Sequence, residues 1–337
     1  IDMLSEIRFP HSLGLLYSAF TSYCGFRINS GEYKLMGLAP YGEPRFAKII
    51  FDELLDLKSD GSFKLNMNYF SFLSGSYMTN DKFNQLFESA KRSPDAPFSS
   101  LHMDVAASIQ YVINEAVLRL AKKAKNITNM KNICLAGGVA LNCVANGLLE
   151  KSNIFDKIWI QPAAGDAGGA LGAAFEVWNN QKQNKHNIFN SRNLVDMDGM
   201  KGCLLGPEFS ESEIYQCLAE HNAVYNKFEE CEMLDEVATL LSSGAIIGWF
   251  QGRMEFGPRS LGNRSILGDA RVPNIQSDIN RKVKFRESFR PFAPSVLKER
   301  VSEYFDIKND SPYMLMVAPV AEEQLIKNND NTLEGLD

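Results

Sequence analysis

Apolar positions along the chain recur with two periods, one helical and one strand-like. Leu13, Leu16, Tyr17 and Phe20 fall at helical spacing after Pro10-His11-Ser12, and they predict a helix. Asn29-Ser30-Gly31 then reads as a turn and a helix start. Glu32 and Lys34 therefore sit in the first turn of a second helix, which Ala39-Pro40-Tyr41-Gly42 ends. Residues 43–100 read as an insertion without evident chemistry: a helix near 44–55, a hairpin-like stretch at 61–73 and a Pro/Ser-rich loop at 93–100. Over 101–125, Val105, Ile109, Val112, Ala116 and Leu120 line one helical face. Asp104 stands early on that helix and Lys122, Lys123 and Lys125 late, as the helix dipole favours.

The period then shortens. Asn132-Ile133-Cys134-Leu135-Ala136 reads as a buried strand, Gly137-Gly138-Val139-Ala140-Leu141-Asn142 as a turn, and a helix follows. Lys157-Ile158-Trp159-Ile160-Gln161 repeats the sequence of events, with the small-residue loop 162–172 leading into another helix. Twice, a strand delivers a glycine-bearing loop to a helix N-terminus. Such ends carry unpaired N–H groups and partial positive charge, which suit phosphate oxygens, and glycine lets a ligand reach the backbone. A Gly-Gly turn also occurs simply as a tight turn. Two such loops in tandem, the second carrying Asp166 as its one charged group, favour a ligand.

The polar, aperiodic run from Asn179 to Asn187 predicts a linker before a second domain that opens near Leu204. That domain should hold a helix from Ser210 to His221, a strand from Ala223 to Phe228, a helix from Met233 to Ser242 and a buried strand from Ala245 to Phe250. A further strand is expected over Ser311–Val317.

Charge changes the picture in one place. The chain has 337 residues and a net charge of −6, with 45% hydrophobic and 23% charged residues, which gives no general reason to expect nucleic acid or an anionic membrane as partner. Residues 251–300, however, hold eleven Lys/Arg against five Asp/Glu, a local +6, so the remainder sums to −12. This basic stretch is rich in Gly-Pro turns and aromatics, with Arg253, Arg259, Lys284, Arg286 and Arg290 among its cations. Arginine offers a planar fork to phosphate or carboxylate oxygens, and rigid turns pre-order it, so a concave anion site is favoured over a salt-bridged surface or a nucleic-acid patch. No apolar run reaches the roughly 18 residues of a membrane span. The six cysteines form no C-x-x-C pair and read as free, buried thiols of a reducing compartment. The four histidines are far apart, and by spacing alone Glu32 and Lys34 belong to a solvated face.

Four separated motifs carry a resemblance. They are Asn29-Ser30-Gly31-Glu32-Tyr33-Lys34-Leu35-Met36-Gly37-Leu38-Ala39-Pro40-Tyr41-Gly42, Ala136-Gly137-Gly138-Val139-Ala140-Leu141-Asn142-Cys143, Gly252-Arg253-Met254-Glu255-Phe256-Gly257-Pro258-Arg259-Ser260-Leu261-Gly262 and Phe289-Arg290-Pro291-Phe292-Ala293-Pro294. Together, in this order, they resemble the NodU/CmcH family of O-carbamoyltransferases over roughly residues 10–318. The resemblance implies an α/β chain with an actin-like ATPase (ribonuclease H-like) module over 1–185, a linker over 186–203 and an incomplete YrdC-like domain over 204–337. It implies that carbamoyl phosphate and ATP, with Mg2+, give carbamoyl-adenylate, and that a hydroxyl of a small natural product or sugar then takes the carbamoyl group. Carried over by position, Gly137, Gly138 and Asn142 line the adenylate site with Glu32 and Lys34 nearby, and Asp166 is a ligand of Fe2+ or a similar divalent metal. Arg253, Arg259, Lys284, Arg286 and Arg290 hold carbamoyl phosphate and the ATP phosphates.

Members of that family carry an upstream H-x-x-x-H pair for the metal, and they continue beyond the equivalent of Asp337. The chain is therefore expected to behave as a fragment that binds metal weakly and turns over poorly. A cytoplasmic location is expected, with no nucleic-acid or membrane partner and a homodimer as one admissible assembly. Two rivals stand beside this reading: threonylcarbamoylation of tRNA, which the acidic balance disfavours, and a non-catalytic nucleotide-binding protein.

Overall fold

The computed structural model describes residues 2–181 and 199–326, apart from the side chains of Asn179 and Gln181. The expected linker lies largely outside the described residues. The chain divides into two compact units. Unit 1 comprises Ile1–Ile160, Glu287–Asp310 and Met316–Asp337, and unit 2 comprises Gln161–Arg286 and Ser311–Leu315.

In unit 1, the Ser12 hydroxyl accepts a hydrogen bond from the Leu15 amide (3.2 Å) and starts helix α1 (Leu13–Tyr23). Its buried face, with Leu16, Tyr17, Phe20 and Tyr23, joins the main core. Helix α2 (Glu32–Leu38) follows and runs into a 3-10 turn at Ala39–Tyr41. At Gly42 a Cβ would stand 2.1 Å from the Met103 carbonyl carbon, so only glycine lets this turn lie against the next long helix.

The 43–100 insertion folds as a short helix α3 (Ala47–Ile49) continued by a wider turn at Ile50–Leu54, a hairpin of β1 (Leu55–Leu57) with β2 (Phe63–Leu65), and helix α4 (Asp81–Leu86). It supplies much of the core: Phe83 and Phe87 set their rings edge-on to Phe20 at 5.1 and 5.7 Å. Helix α5 (Ser100–Thr128) spans the unit. A Ser99/His102 capping box begins it, and Asn129 in a left-handed conformation ends it. Val105, Ile109, Val112 and Ala116 are buried, as their spacing predicts.

Strand β3 (Asn132–Leu135) pairs in parallel with β4 (Lys157–Ile160), with helix α6 (Cys143–Lys151) between them. The order of elements is the expected one, but β3 alternates exposed and half-buried residues rather than being buried throughout. Later segments return to unit 1. Phe289 enters the main core, and helix α11 (Val301–Tyr304) precedes a segment whose Lys308 and Asn309 amides donate to the buried Glu150 at 3.1 and 3.3 Å.

Unit 2 begins with helix α7 (Asp166–Gln181). Helices α8 (Glu211–Glu220) and α9 (Glu230–Ser242) follow, and α8 is started by a Ser210/Glu213 capping box. Strand β5 (Ile247–Phe250) pairs antiparallel with β6 (Arg264–Leu267), and helix α10 (Ile275–Asp278) comes next.

Two expected strands are absent: Ala223–Phe228 and Ser311–Val317 form no ladder. Val224 is fully exposed and Tyr225 and Phe228 are half-exposed; the Tyr225 ring packs on Tyr215 of α8 at 6.0 Å, but no surface meets Val224 to hold the stretch extended. The cysteines also differ from expectation. All are free, but only Cys24 and Cys203 are buried, while Cys134, Cys217 and Cys231 are exposed. Burial pushes the Cys24 thiol up to about 12, against the opposing charge of Arg92. Among the described residues no helix is long and apolar enough to cross a membrane.

Candidate active site

In unit 1 the glycine loop leaves β3 through Gly137, whose φ of +96° is open only to glycine at low cost. A 3-10 turn over Gly138–Leu141 leads to Asn142, which accepts from the Ala145 amide at 3.0 Å and caps α6. Gly137 and Gly138 are exposed, and a Cβ on either would meet nothing within 4 Å. At Gly138 neither backbone conformation nor packing demands glycine. The buried side of the loop is braced. Val139 lies 3.6 Å from where a Cβ at Gly14 would stand, and Asn146 donates to the Ala140 carbonyl at 2.8 Å.

Helix α2 reaches this loop through Met36, whose Sδ is 3.7 Å from the Cys143 Sγ. Glu32 and Lys34 of α2 have protein partners rather than solvent. Glu32 accepts from the Ser18 hydroxyl (2.7 Å), the Asn29 amide (2.9 Å) and the Gly31 amide (3.1 Å), tying the helix start to its own turn and to α1. Lys34 pairs with Glu287 at 2.7 Å. Arg290 also reaches Glu287 (3.4 Å) and lies over the Tyr33 ring at 4.3 Å. Burial pushes the Glu287 carboxyl up, but the Lys34 hydrogen bond and the charges of Lys34 and Arg290 outweigh it, and the group is held below its ordinary value. Arg290 thus belongs to unit 1 together with Lys34, whereas Arg253, Arg259, Lys284 and Arg286 belong to unit 2.

In unit 2 the basic loop between β5 and β6 is organised by Glu255. Its side chain is fully buried, accepts from the Leu261 and Asn263 amides at 2.7 and 2.8 Å, and pairs with Arg264 at 3.1 Å. Burial alone raises this carboxyl. The amide donors and Arg264 win, so it is held below the usual range. Asn263 closes the loop by donating to the Gln251 and Arg253 carbonyls, both at 2.9 Å.

The four cations of this unit expected to hold phosphate differ in setting. Arg253 is exposed and pairs with Glu208 at 3.7 Å. Lys284 is exposed, and Arg286 donates to Asn280 at 2.7 Å. Arg259 is half-buried, and its Nε has no accepting partner among the described residues. A buried donor left bare costs about 1–3 kcal/mol, so an incoming oxygen is favoured there.

Asp166 is exposed at the first position of α7. Among the described residues no three His, Cys, Asp or Glu side chains converge. Asp166 therefore has no set of three protein ligands around it among the described residues.

Sequence reasoning missed Glu255, Glu287, Asn263 and Gln110. Only Glu255 offered a signal, as the one acid between Gln251 and Arg264.

Residues 2–175 match the profile described as the carbamoyltransferase N-terminus, and residues 238–332 match that of the carbamoyltransferase C-terminus. An uncharacterized protein of Synechocystis sp. is 56% identical over 320 residues, covering 94% of this chain and 51% of that protein. Nodulation protein NolNO of Sinorhizobium fredii is 37% identical over 325 residues, covering 94% of this chain and 44% of its own length. Nodulation protein NolO of Bradyrhizobium diazoefficiens is 36% identical over 325 residues, with 94% and 55% covered. The chain spans about half the length of these relatives.

Proposed function

The chain belongs to the carbamoyltransferase family, and from that premise we propose that it serves ATP-dependent O-carbamoyl transfer to a hydroxyl of a small natural product or sugar. In this reading, unit 1 carries the actin-like module and the adenylate site. The later part of the chain carries a YrdC-like domain that receives carbamoyl phosphate. Water first cleaves carbamoyl phosphate to carbamate and phosphate; a carbamate oxygen then bonds to the α-phosphorus of ATP as the bond to pyrophosphate breaks, which gives carbamoyl-adenylate. The acceptor oxygen then bonds to the carbamoyl carbon, the bond to AMP breaks, and the hydroxyl proton passes to solvent.

The observation that carries the reading is Gly138. It is a glycine that the fold itself does not need, and it exposes bare backbone at the mouth of a capped helix. ATP supplies the adenylyl group that makes a poor leaving group a good one. Gly137 and Gly138 admit the nucleotide to the backbone, and Asn142 holds the N–H groups of α6 in place behind it. Lys34, kept by Glu287, lends positive charge on α2. In unit 2, Arg259 offers its unpaired Nε to a phosphate oxygen, with Arg253, Lys284 and Arg286 in the same unit. No step is routed through a metal at Asp166.

The test is pyrophosphate release with ATP and carbamoyl phosphate together, compared with either alone. Release that requires both is expected. Arg259→Met should lower it about tenfold to a hundredfold, the worth of one charge-assisted contact. Release that ignores carbamoyl phosphate, or an Arg259→Met enzyme as active as the parent, would count against this assignment.

A further inference from the structure

Helix α5 carries a buried polar residue on a largely apolar face, Gln110, which is 5% exposed. Every hydrogen-bonding position of its carboxamide is used. Oε1 accepts from the Tyr17 hydroxyl (2.9 Å) and from Asn142 Nδ2 (3.1 Å). Nε2 donates to Asn114 Oδ1 (2.9 Å) and to Asn142 Oδ1 (3.0 Å). Gln110 and Asn142 thus face each other as a doubly bonded amide pair.

The polarity of this pair is set by the backbone. The Ala145 N–H can only donate, so the Asn142 atom facing it must be the oxygen. Asn142 Nδ2 must then face an acceptor, and Gln110 Oε1 is that acceptor. Burial holds the Tyr17 phenol protonated to well above its ordinary range, with nearby Cys143, Cys24 and Glu32 adding to the effect, so its O–H stays available to donate. A buried carboxamide with all four positions used has one low-energy arrangement and resists rotation.

We infer that Gln110 is the positioning residue of the glycine loop: it fixes the Asn142 carboxamide, and through it the loop 137–142 and the first turn of α6. The inference deepens the proposed function and rests on its reading of that loop as the nucleotide site. Gln110 touches no ligand itself. It holds the buried side of a loop whose opposite face, at Gly137 and Gly138, is open. A loop held from behind need not be ordered by its ligand, which lowers the entropy lost on binding.

Two variants separate pairing from capping. Gln110→Met keeps the volume and removes all four bonds. Asn142→Ser keeps a good helix cap but cannot form the amide pair. Native-state hydrogen exchange of residues 138–146 is expected to speed up about tenfold or more in both, while α4 and the β1–β2 hairpin keep their protection. Calorimetry on the folded Gln110→Met protein should show ATP affinity falling about tenfold, alongside a lowered melting temperature from the four lost bonds. Unchanged exchange in a folded Gln110→Met protein overturns the inference. If that variant does not fold, unchanged exchange in Asn142→Ser overturns it instead. A parent protein that binds no ATP removes the nucleotide reading alone, and the exchange data still decide the role of Gln110.

Discussion

Gly147, inside α6, gives the sharpest test of how tertiary packing overrides local preference. Replacing a mid-helix glycine with alanine should gain about 0.8–1 kcal/mol from backbone entropy alone. Here a Cβ would lie 1.9 Å from the Val317 carbonyl oxygen, where real contacts are essentially never under 3.0 Å. The 316–317 segment must therefore retreat by at least about 1.1 Å, the difference between those two distances. Val317 is half-exposed, so it can move outward instead of being crushed. The retreat pulls its amide away from the Cys143 carbonyl, now 3.0 Å distant. Losing that bond costs about 0.5–1.5 kcal/mol, and displaced packing about 1–3 kcal/mol. The net expectation for Gly147→Ala is a loss of about 2 kcal/mol. Gly172→Ala in α7 is the control, because a Cβ there meets nothing within 4 Å and the full helix gain of about 1 kcal/mol is expected. With two compact units a single melting curve does not separate them, so the assay is native-state hydrogen exchange read helix by helix. If Gly147→Ala protects α6 as much as Gly172→Ala protects α7, the packing argument is wrong.

Three further outcomes are expected. Glu287→Gln leaves Lys34 and Arg290 without their shared counter-charge; a loss of about 1–2 kcal/mol in unit 1 is expected for such a partly exposed triad. A double-mutant cycle with Lys34→Met should return a coupling well above zero, and no coupling would dismiss the pair. Glu255→Gln should cost about 2–4 kcal/mol and open the 251–263 loop to limited proteolysis, since Arg264 then faces an amide in a buried site; unaltered cleavage would show that other bonds hold the loop. His102, which accepts from the Ser99 amide at 3.1 Å in the capping box of α5, is held below its ordinary pKa by burial and then by the charge of Arg92. The unfolded chain binds this proton more readily, so the contribution of His102 is whole above about pH 6.5 and is lost as pH falls through the lower folded value. Opening free energies of α5 from native-state hydrogen exchange at pH 7.5 and 5.5 should differ more for the parent than for His102→Gln, by up to about 1 kcal/mol; equal differences would reject the mechanism.

The first glycine loop, α1, α2 and α5 were legible because each is announced locally; of the second loop, expected over 162–172, everything from Asp166 on is already helix α7. Leu13, Leu16, Tyr17 and Phe20 repeat at helical spacing, and Gly137-Gly138 interrupts an apolar strand just before a capping Asn142. The Ala223–Phe228 strand was misread because strand propensity measures fit to a half-buried surface, and no such surface meets Val224. Arg290 was grouped with the other cations by proximity in sequence. Its guanidinium pairs with Glu287 and lies over Tyr33, partners that no spacing reveals.

The sequence by itself determined the order of elements, the family and the places where bare backbone and basic charge concentrate, because these follow from periodicity, turn chemistry and composition. Only the tertiary structure decided which polar groups satisfy one another. Glu32 turns inward to Ser18, Lys34 and Arg290 share Glu287, Glu255 organises the basic loop, and Gln110 grips Asn142 across 32 residues of chain. The physical reason is that a buried hydrogen bond depends on distance in space, and residues far apart in sequence meet only once the chain has packed.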